Sequence, residues 1–266
     1  MKNGCTVILT FDFDAEALWE GAYGITNPSV LSRGAYGANL GMPRILALLD
    51  RYAIAATFFV PRITAERYPD LVRRVHDAGH EIGHHGYLHL SPATQTIEDE
   101  RTALEKGLEI LERLTGERPI GYRSPSWDLS DHSLELLAER GFLYDSSLMG
   151  WDEPYLISGS HGPLVEIPIC WELDDAPYFL FAFRPVYRVG LADPDRVLKI
   201  WCTEFDCAYS EGGTVCYTMH PQLIGRRHRL QMLEGLIRHI RQFPGVRFSR
   251  AKDAASGYLA QPPRTP

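Results

Sequence analysis

Short apolar segments alternate along the chain with segments whose apolar residues recur at helical spacing. The apolar segments are rich in β-branched and aromatic residues, which is typical of buried strands. This pattern predicts strands at residues 6–13, 55–60, 80–83, 120–123, 142–145, 166–168, 215–219 and 246–248. The helical spacing predicts helices at residues 43–52, 69–78, 97–115, 133–140 and 230–243.

The alternation of strands and helices predicts a single α/β domain with a parallel sheet. Polar residues follow several predicted strands, and chemistry at many strand ends in a chain of 266 residues favours a TIM-like (β/α) barrel over an open sheet. The domain is expected to span residues 1–260, followed by a frayed, proline-rich tail at 261–266. Residues 15–42 are rich in Gly, Tyr and Asn without a strong period, which predicts a lid-like insertion or an oligomer contact.

Two clusters of polar residues interrupt this pattern. Asp12 and Asp14 end the first predicted strand, and a separation of two directs both carboxylates to one side of a strand. Residues 79–89 contain four histidines and three glycines, and the spacing of His85 and His89 places both imidazoles on one face of a helical turn. We therefore predict that Asp14, His85 and His89 bind a divalent metal in an open, catalytic type of site. Zn²⁺ is the first choice, with Co²⁺, Mn²⁺ or Fe²⁺ as alternatives.

Three more residues would complete a hydrolytic site around this metal. Asp12, on the same side of the strand as Asp14, is predicted to take a proton from the attacking water as general base. Arg123 ends another predicted strand and would hold the Asp12 carboxylate in place. His220 follows the strand at 215–219 and is predicted to protonate the leaving nitrogen as general acid.

Other histidines and aromatic residues have more ordinary interpretations. The spacing of His80 and His84 from His85 and His89 does not direct all four rings to one point. We therefore expect His80 and His84 to lie in the core or to contact the ligands rather than the metal. The tryptophans at three positions are expected to be core residues or walls of a substrate site: Trp127, Trp151 and Trp171.

Two other classes of protein remain open at this point. One is a domain that binds a metal or ligand without catalysis. The other is an assembly protein that uses residues 15–42 as an interface, although this class does not explain the polar residues at the strand ends.

Composition narrows the classes of partner. The net charge of −7, from 27 basic and 34 acidic residues, argues against binding to nucleic acid or to an anionic membrane surface. No apolar run is long enough to span a bilayer, and no apolar leader follows Met1, so a cytoplasmic location is expected. The five cysteines are odd in number and contain no C-x-x-C pair, which predicts reduced thiols rather than disulfides.

The segments TFDFD, HEIGHHGYLH, YRSPSW and MHP together resemble the motif series of the polysaccharide deacetylase superfamily, carbohydrate esterase family four. The order and rough spacing agree over about residues 6–250. The resemblance implies a distorted, incomplete (β/α) barrel that hydrolyses an N-acetyl group or a related amide with a zinc-like ion. It implies the same roles for the residues named above and adds the backbone N–H of Ser126 as part of an oxyanion hole. Trp127 follows Ser126 in the chain and is the tryptophan that we expect in the substrate site.

The chain departs from the family pattern at three points. Gly86 stands where a Thr or Ser usually follows the first metal histidine, Ser126 stands where an aromatic residue is common, and the Asp-Trp of the fourth motif is not plainly present. Asp145, in the sequence YDSSL, is therefore predicted to support His220. The alternatives for this support are Asp152 and Asp174.

Residues 15–42, together with YDSSLM and EIPICWELDDAPYF, resemble one subgroup of this superfamily. The subgroup contains a peptidoglycan-deacetylase-like protein, cyclic imide hydrolases and cofactor-independent allantoinases. Its added segments narrow the mouth of the barrel, and its members form tetramers. The resemblance thus implies a homotetramer that acts on the N-acetyl group of an amino sugar or, as the alternative, on a small cyclic imide or ureide.

Overall fold

A computed structural model describes residues 4–157, 162–182 and 190–260, so the predicted tail at 261–266 lies outside the described residues. In the described chain, nine strands form one sheet. They are β1 (Thr6–Asp12), β2 (Thr57–Val60), β3 (Glu81–His84), β4 (Gly121–Tyr122), β5 (Tyr144–Asp145), β6 (Tyr155–Ile157), β7 (Leu164–Glu166), β8 (Thr214–Met219) and β9 (Arg247–Ser249).

Helices connect the strands and surround the sheet. They are α1 (Pro28–Tyr36), α2 (Met42–Arg51), α3 (Arg62–Arg67), α4 (Pro69–Asp77), α5 (Ile97–Thr115), α6 (Ser133–Glu139), α7 (Ala176–Phe179), α8 (Pro194–Glu211), α9 (Pro221–Ile224), α10 (Arg227–Ile240) and α11 (Ala251–Leu259). Short π-helical turns cover Leu18–Ala22 and Gly37–Gly41, and 3₁₀ turns cover Pro92–Thr94, Pro125–Trp127 and Trp171–Leu173. Among the described helices, none is both long enough and apolar enough to cross a bilayer.

The sheet curls into a partial barrel. Its strand order is β6-β7-β5-β4-β3-β2-β1-β8, and β9 pairs with the first half of β1. Neighbouring strands are parallel except β6 and β7. Beyond β8, Asp174 forms an isolated parallel bridge with Thr218. The distorted, incomplete (β/α) barrel predicted from the sequence is therefore confirmed.

Alternate residues of β1 divide between the outside and the inside of this barrel. Val7, Leu9 and Phe11 belong to the large core cluster under the surrounding helices. Ile8 belongs to a second cluster, with buried residues in other strands or directly after them: Phe59, Tyr144, Val165, Ile167 and Cys216. Because side chains two apart share one face of a strand, Thr10 and Asp12 follow Ile8 into the barrel interior, at the carboxyl end of β1.

The amino end of the barrel is closed by α11. The buried carboxylate of Glu81, at the start of β3, accepts hydrogen bonds from Thr57 Oγ1 at 2.8 Å and from Tyr144 Oη at 2.9 Å. It also accepts one from the Lys252 backbone N–H at 2.9 Å, and Thr57 Oγ1 accepts another from the Ala251 N–H at 2.8 Å. These bonds join the base of the barrel to the first turn of α11.

The segment at residues 15–42, expected to lack strong structure, is largely helical. Asn27 Oδ1 accepts a hydrogen bond from the Ser29 N–H at 2.9 Å, and Pro28 occupies the first turn of α1, where its missing N–H has no consequence. The segment then continues through a π-helical turn into α2. Its function as a lid stays a prediction.

The pattern along the chain did not predict α8, although both of its ends carry local signals. Asp193 Oδ1 accepts a hydrogen bond from the Asp195 N–H at 3.0 Å, and Gly212 ends the helix with a φ of 70°. Its apolar positions are interrupted by charges, which hides the helical period. The strand predicted at 166–168, the last one before α8, is observed two residues earlier in the chain, at Leu164–Glu166.

Candidate active site and metal centre

Asp14, His85 and His89 meet at the carboxyl end of β1 and β3. Asp14 Oδ1 lies 3.4 Å from His85 Nε2 and 3.6 Å from His89 Nε2. All three side chains are buried, and one donor atom from each lies within 4.8 Å of the others. Asp14 Oδ1 has no hydrogen-bond partner among the described residues. A buried carboxylate oxygen facing two imidazole nitrogens fits a divalent cation chemically, because the cation would satisfy all three donors.

The two histidines reach this position from a loop and not from a helix. His85 directly follows β3, and His89 has a left-handed φ of 56°. The helical turn assumed from their spacing is therefore wrong, although the rings still lie 5.1 Å apart. Gly86 has a φ of 71°, and a Cβ there would lie 2.9 Å from the ring of Pro125. This close approach explains why a glycine, and not a Thr or Ser, follows the first histidine.

The orientation of the His85 ring is fixed from behind. Its Nδ1 donates a hydrogen bond to the backbone oxygen of Arg123 at 2.7 Å. Since a carbonyl only accepts, Nδ1 carries a proton, and Nε2 is therefore the nitrogen that can offer a lone pair to a cation.

Asp12 is held beside this centre by Arg123. Arg123 is fully buried, and its Nη1 donates to Asp12 Oδ1 at 2.9 Å and to Thr10 Oγ1 at 2.7 Å. Its other nitrogens donate to Ser146, from Nε to the backbone oxygen at 3.0 Å and from Nη2 to Oγ at 2.9 Å. These contacts leave Asp12 Oδ2 facing His85 Nε2 at 3.9 Å.

His220 lies on another side of Asp14. Its Nε2 is 3.8 Å from Asp14 Oδ2, and its Nδ1 is 2.6 Å from Asp175 Oδ1. Burial disfavours the charged ring, but Asp174 and Asp175 outweigh burial and raise the pKa of His220 well above its usual range. Burial likewise works against ionised Asp14, yet His89, His85 and His220 together lower the pKa of Asp14 to about 2.

The aspartate that supports His220 is Asp175, which corrects the prediction of Asp145. The Asp175 carboxylate also accepts from the His220 backbone N–H, at 3.1 Å to each oxygen. Its neighbour Asp174 lies 3.7 Å from His220 Nδ1, whereas Asp152 is exposed. Asp145 instead accepts a hydrogen bond from Ser147 Oγ at 2.7 Å. Asp175 reaches His220 because Asp174 and Asp175 lie alongside the end of β8, next to Thr218. No local pattern in the sequence predicts this contact.

His80 and His84 are neutral histidines of the core. The Ala56 N–H donates to His80 Nδ1 at 3.2 Å, and His84 lies between the Gly86 N–H and the Leu104 oxygen. Burial lowers the pKa of His80 to about 4 and that of His84 to about 3. Both ring nitrogens of His84 and Nδ1 of His80 are used in these bonds, away from the metal centre.

Ser126 and Trp127 form a strained turn after β4. Their φ angles are 57° and 59°, in the left-handed region that residues with a Cβ rarely adopt. Trp127 is buried and stacks on Trp171 with the ring centroids 4.0 Å apart, while 44% of Trp171 is exposed. Trp151 is 54% exposed, so it is not a core residue. The Trp127 and Trp171 pair gives the turn a rigid aromatic support.

Gln222 is a site residue that the sequence did not indicate. Its Nε2 donates to Asp14 Oδ2 at 3.4 Å, and its Oε1 is buried without a partner among the described residues. Glycines of residues 15–42 pack against this part of the site. A Cβ at Gly37 would lie 2.8 Å from the backbone nitrogen of Gln222. A Cβ at Gly21 would lie 2.5 Å from the backbone oxygen of His89.

Comparison with known proteins agrees with this architecture. The family model for polysaccharide deacetylases matches residues 2–144. A peptidoglycan deacetylase from Helicobacter pylori is 35% identical, with 99% of each chain covered. Among solved structures, a Mycobacterium smegmatis protein assigned to the polysaccharide deacetylases is 38% identical, with 100% of this chain and 94% of the other covered and a TM-score of 0.94.

A solved Puue allantoinase is also similar over 99% of this chain and 92% of its own, with 27% identity and a TM-score of 0.85. The matches thus extend over the barrel, the helical segment at residues 15–42 and α8. The chain therefore belongs to the polysaccharide deacetylase family and is a metal-dependent hydrolase of non-peptide carbon–nitrogen bonds.

Proposed function

We propose that this hydrolase removes the acetyl group from the nitrogen of an amino sugar, with Asp12 as general base and His220 as general acid. The supporting observation is that both groups lie next to the candidate metal ligands, Asp12 beside His85 and His220 beside Asp14. Asp12 Oδ2 lies 3.9 Å from His85 Nε2, and His220 Nε2 lies 3.8 Å from Asp14 Oδ2. Hydrolysis of an amide needs one proton removed from water and one given to nitrogen, which matches this pair.

Asp14, His85 and His89 would hold the divalent metal, and one carboxylate with two imidazoles suits Zn²⁺ first. When bound, such a cation polarises the amide carbonyl and makes water more acidic. A homotetramer and a cytoplasmic location stay predictions, and so does the absence of nucleic-acid and membrane partners. Sedimentation and cell fractionation would test the first two.

The protein's own groups divide the proton transfers. Asp12, oriented by Arg123, accepts the proton of the attacking water at Oδ2. His220 gives a proton from Nε2 to the amine nitrogen as the carbon–nitrogen bond breaks, and Asp175 stabilises the charged ring through Nδ1. The products are acetate and a free amino group.

Two residues are proposed to bind the reacting amide. The backbone N–H of Ser126, presented by the left-handed turn, would donate to the carbonyl oxygen as negative charge develops there. Trp127, stacked on Trp171, would form the wall beside it.

A small cyclic imide or ureide is the second candidate substrate. Two observations favour it: the similarity to an allantoinase over nearly the whole chain, and the helical segment that packs against the backbone of His89 and Gln222. A mouth narrowed by this segment would suit a small ring better than a glycan chain.

A substrate panel separates the two candidates. The metal-loaded protein is incubated with N-acetylglucosamine oligomers, succinimide, phthalimide and allantoin, and released acetate and ring opening are measured. Acetate from the oligomers is the expected result. Turnover of the cyclic compounds alone would replace the first candidate by the second, and turnover of none would reject both. Asp12→Asn serves as the inactive control.

A further inference from the structure

Asp145 and Glu166 form a buried pair of acidic residues that the reaction does not use. They are register partners on the neighbouring strands β5 and β7, so their side chains lie next to each other. Both are fully buried. One oxygen of each, Asp145 Oδ2 and Glu166 Oε2, has no hydrogen-bond partner among the described residues when both groups are taken as carboxylates.

We propose that Asp145 and Glu166 share one proton, and that this protonated pair is a positioning device for Arg123 and the turn that begins at Ser124. A single proton between the two free oxygens satisfies both of them at once. It also leaves one negative charge in the pair instead of two, which removes the repulsion between adjacent buried carboxylates.

The bonded oxygens of the pair hold the turn after β5. Glu166 Oε1 accepts from the backbone N–H of Ser147 at 3.0 Å and of Leu148 at 2.9 Å. Asp145 Oδ1 accepts from Ser147 Oγ at 2.7 Å, and Ser147 Oγ in turn accepts from the Ser124 N–H at 2.9 Å. A continuous chain of hydrogen bonds therefore leads from the acid pair to the start of the Ser126 turn.

The same turn holds Arg123 through Ser146. Ser146 accepts from Arg123 with both its backbone oxygen and its Oγ, and its hydroxyl donates to the Ile167 oxygen at 2.9 Å. Arg123 in turn orients Asp12, so a displacement of this turn would move Arg123 and, through it, the proposed general base Asp12. This connection rests on the proposed function, whereas the shared proton does not.

The charged and titratable groups around the pair agree with one retained proton. Burial raises the pKa of both acids, and Asp145 raises that of Glu166 further. Arg123 favours the ionised form of Asp145 but is already paired with Asp12. Among the described residues, Tyr122 and Tyr155 also lie near the pair. Burial is the largest cause that raises the pKa of each, and Asp145 raises both further, so both stay neutral.

Amide substitutions test the shared proton directly. In Glu166→Gln the amide Nε2 donates to Asp145, and in Asp145→Asn the amide donates to Glu166, so each single variant imitates the protonated pair. Each is expected to fold and to keep kcat within about twofold of the wild type. Glu166→Ala removes the support and is expected to lower kcat about tenfold or more with little change in KM, because the general base is misplaced.

The double variant Asp145→Asn/Glu166→Gln places two donors face to face without an acceptor between them. Its free energy of unfolding in urea is expected to fall by more than the sum of the changes in the two single variants. Asp152→Asn, on the exposed surface, is the control for loss of a carboxylate. Urea unfolding of the metal-free variants from pH 5 to 8 supplies a second measurement. Wild-type stability relative to Glu166→Gln is expected to fall as pH rises above about 4.3, because only the folded state keeps the proton.

Additive effects in the double variant would overturn the shared proton, and so would identical pH dependence in the wild type and Glu166→Gln. Equal kcat in Glu166→Ala and the wild type would overturn the positioning function alone. If the wild type hydrolyses none of the amides in the substrate panel, the proposed function fails, while the unfolding measurements still decide whether the proton is shared.

Discussion

Asp12 and Asp14 are the same residue type two positions apart, but their surroundings differ. Asp12 is held by the guanidinium of Arg123, which orients one oxygen and leaves the other free. Asp14 faces the imidazoles of His85 and His89, and among the described residues no guanidinium pairs with it. A carboxylate held by arginine suits proton transfer, and one that faces two imidazole nitrogens suits a cation. The division of their proposed functions therefore follows from their neighbours.

Asp12→Ala is expected to keep the bound metal and to lower kcat by about 10²-fold or more, because the base is removed and the ligands stay. His85→Ala is expected to lose both metal and activity. Metal content measured by plasma mass spectrometry after desalting, together with kcat, checks both outcomes. Asp131→Ala, at an exposed position, is the control. Equal loss of metal in Asp12→Ala and His85→Ala would show that the two aspartates have exchanged functions.

Asp175→Asn is expected to move the alkaline limb of the kcat/KM profile to lower pH by about one unit or more. His220 must be protonated to act as general acid, and Asp175 is one of the two carboxylates that raise its pKa. Without that negative charge, His220 loses its proton at lower pH. A profile measured from pH 6 to 10 tests this. An unchanged alkaline limb would assign it to another group.

At the scale of elements, the strand ends and the loops after them carry most of the site, and α9 adds Gln222. The strands that end near Asp14, His84 and His220 could be predicted from short apolar runs, because those runs depend only on neighbouring residues. The positions of Asp175 and Gln222 could not, because they depend on how distant segments cross the mouth of the barrel. The spacing of His85 and His89 predicted that the two rings lie together, which the structure shows, but it predicted this through the wrong local structure.

Gly41→Ala is expected to destabilise the protein by about 1–3 kcal/mol and to lower kcat. A Cβ at Gly41 would lie 2.2 Å from the Pro221 oxygen, so α9 would have to move, and α9 directly follows His220. Gly257→Ala in α11 is a matched control, since a Cβ there meets no atom of the described structure within 4 Å. That change should be neutral or stabilising by about 0.5–1 kcal/mol. Similar urea midpoints for the two variants would contradict the expectation.

At the scale of the whole molecule, the two ends of the barrel have different functions. The carboxyl end carries the candidate metal ligands and the proposed proton-transfer groups, and the amino end carries the Glu81 network under α11. This polarity could be predicted from the sequence, since parallel strands bring all their carboxyl ends to one side. The closure of the base could not, because Glu81 and Lys252 are far apart in the chain and neither has a local signal of contact.

Glu81→Ala tests whether the two ends are independent. The substitution leaves the hydroxyls of Thr57 and Tyr144 and the Lys252 N–H without their acceptor, which should reduce the free energy of unfolding by about 3 kcal/mol. Metal content, kcat and KM should change less than about twofold at temperatures where the variant is folded, because no ligand or proton-transfer group contacts Glu81. Glu117→Ala, an exposed change, is the control for lost charge. A fall in kcat as large as that of Glu166→Ala would mean instead that distortion at the base reaches Asp12 through β5, since Tyr144 immediately precedes Asp145 in that strand.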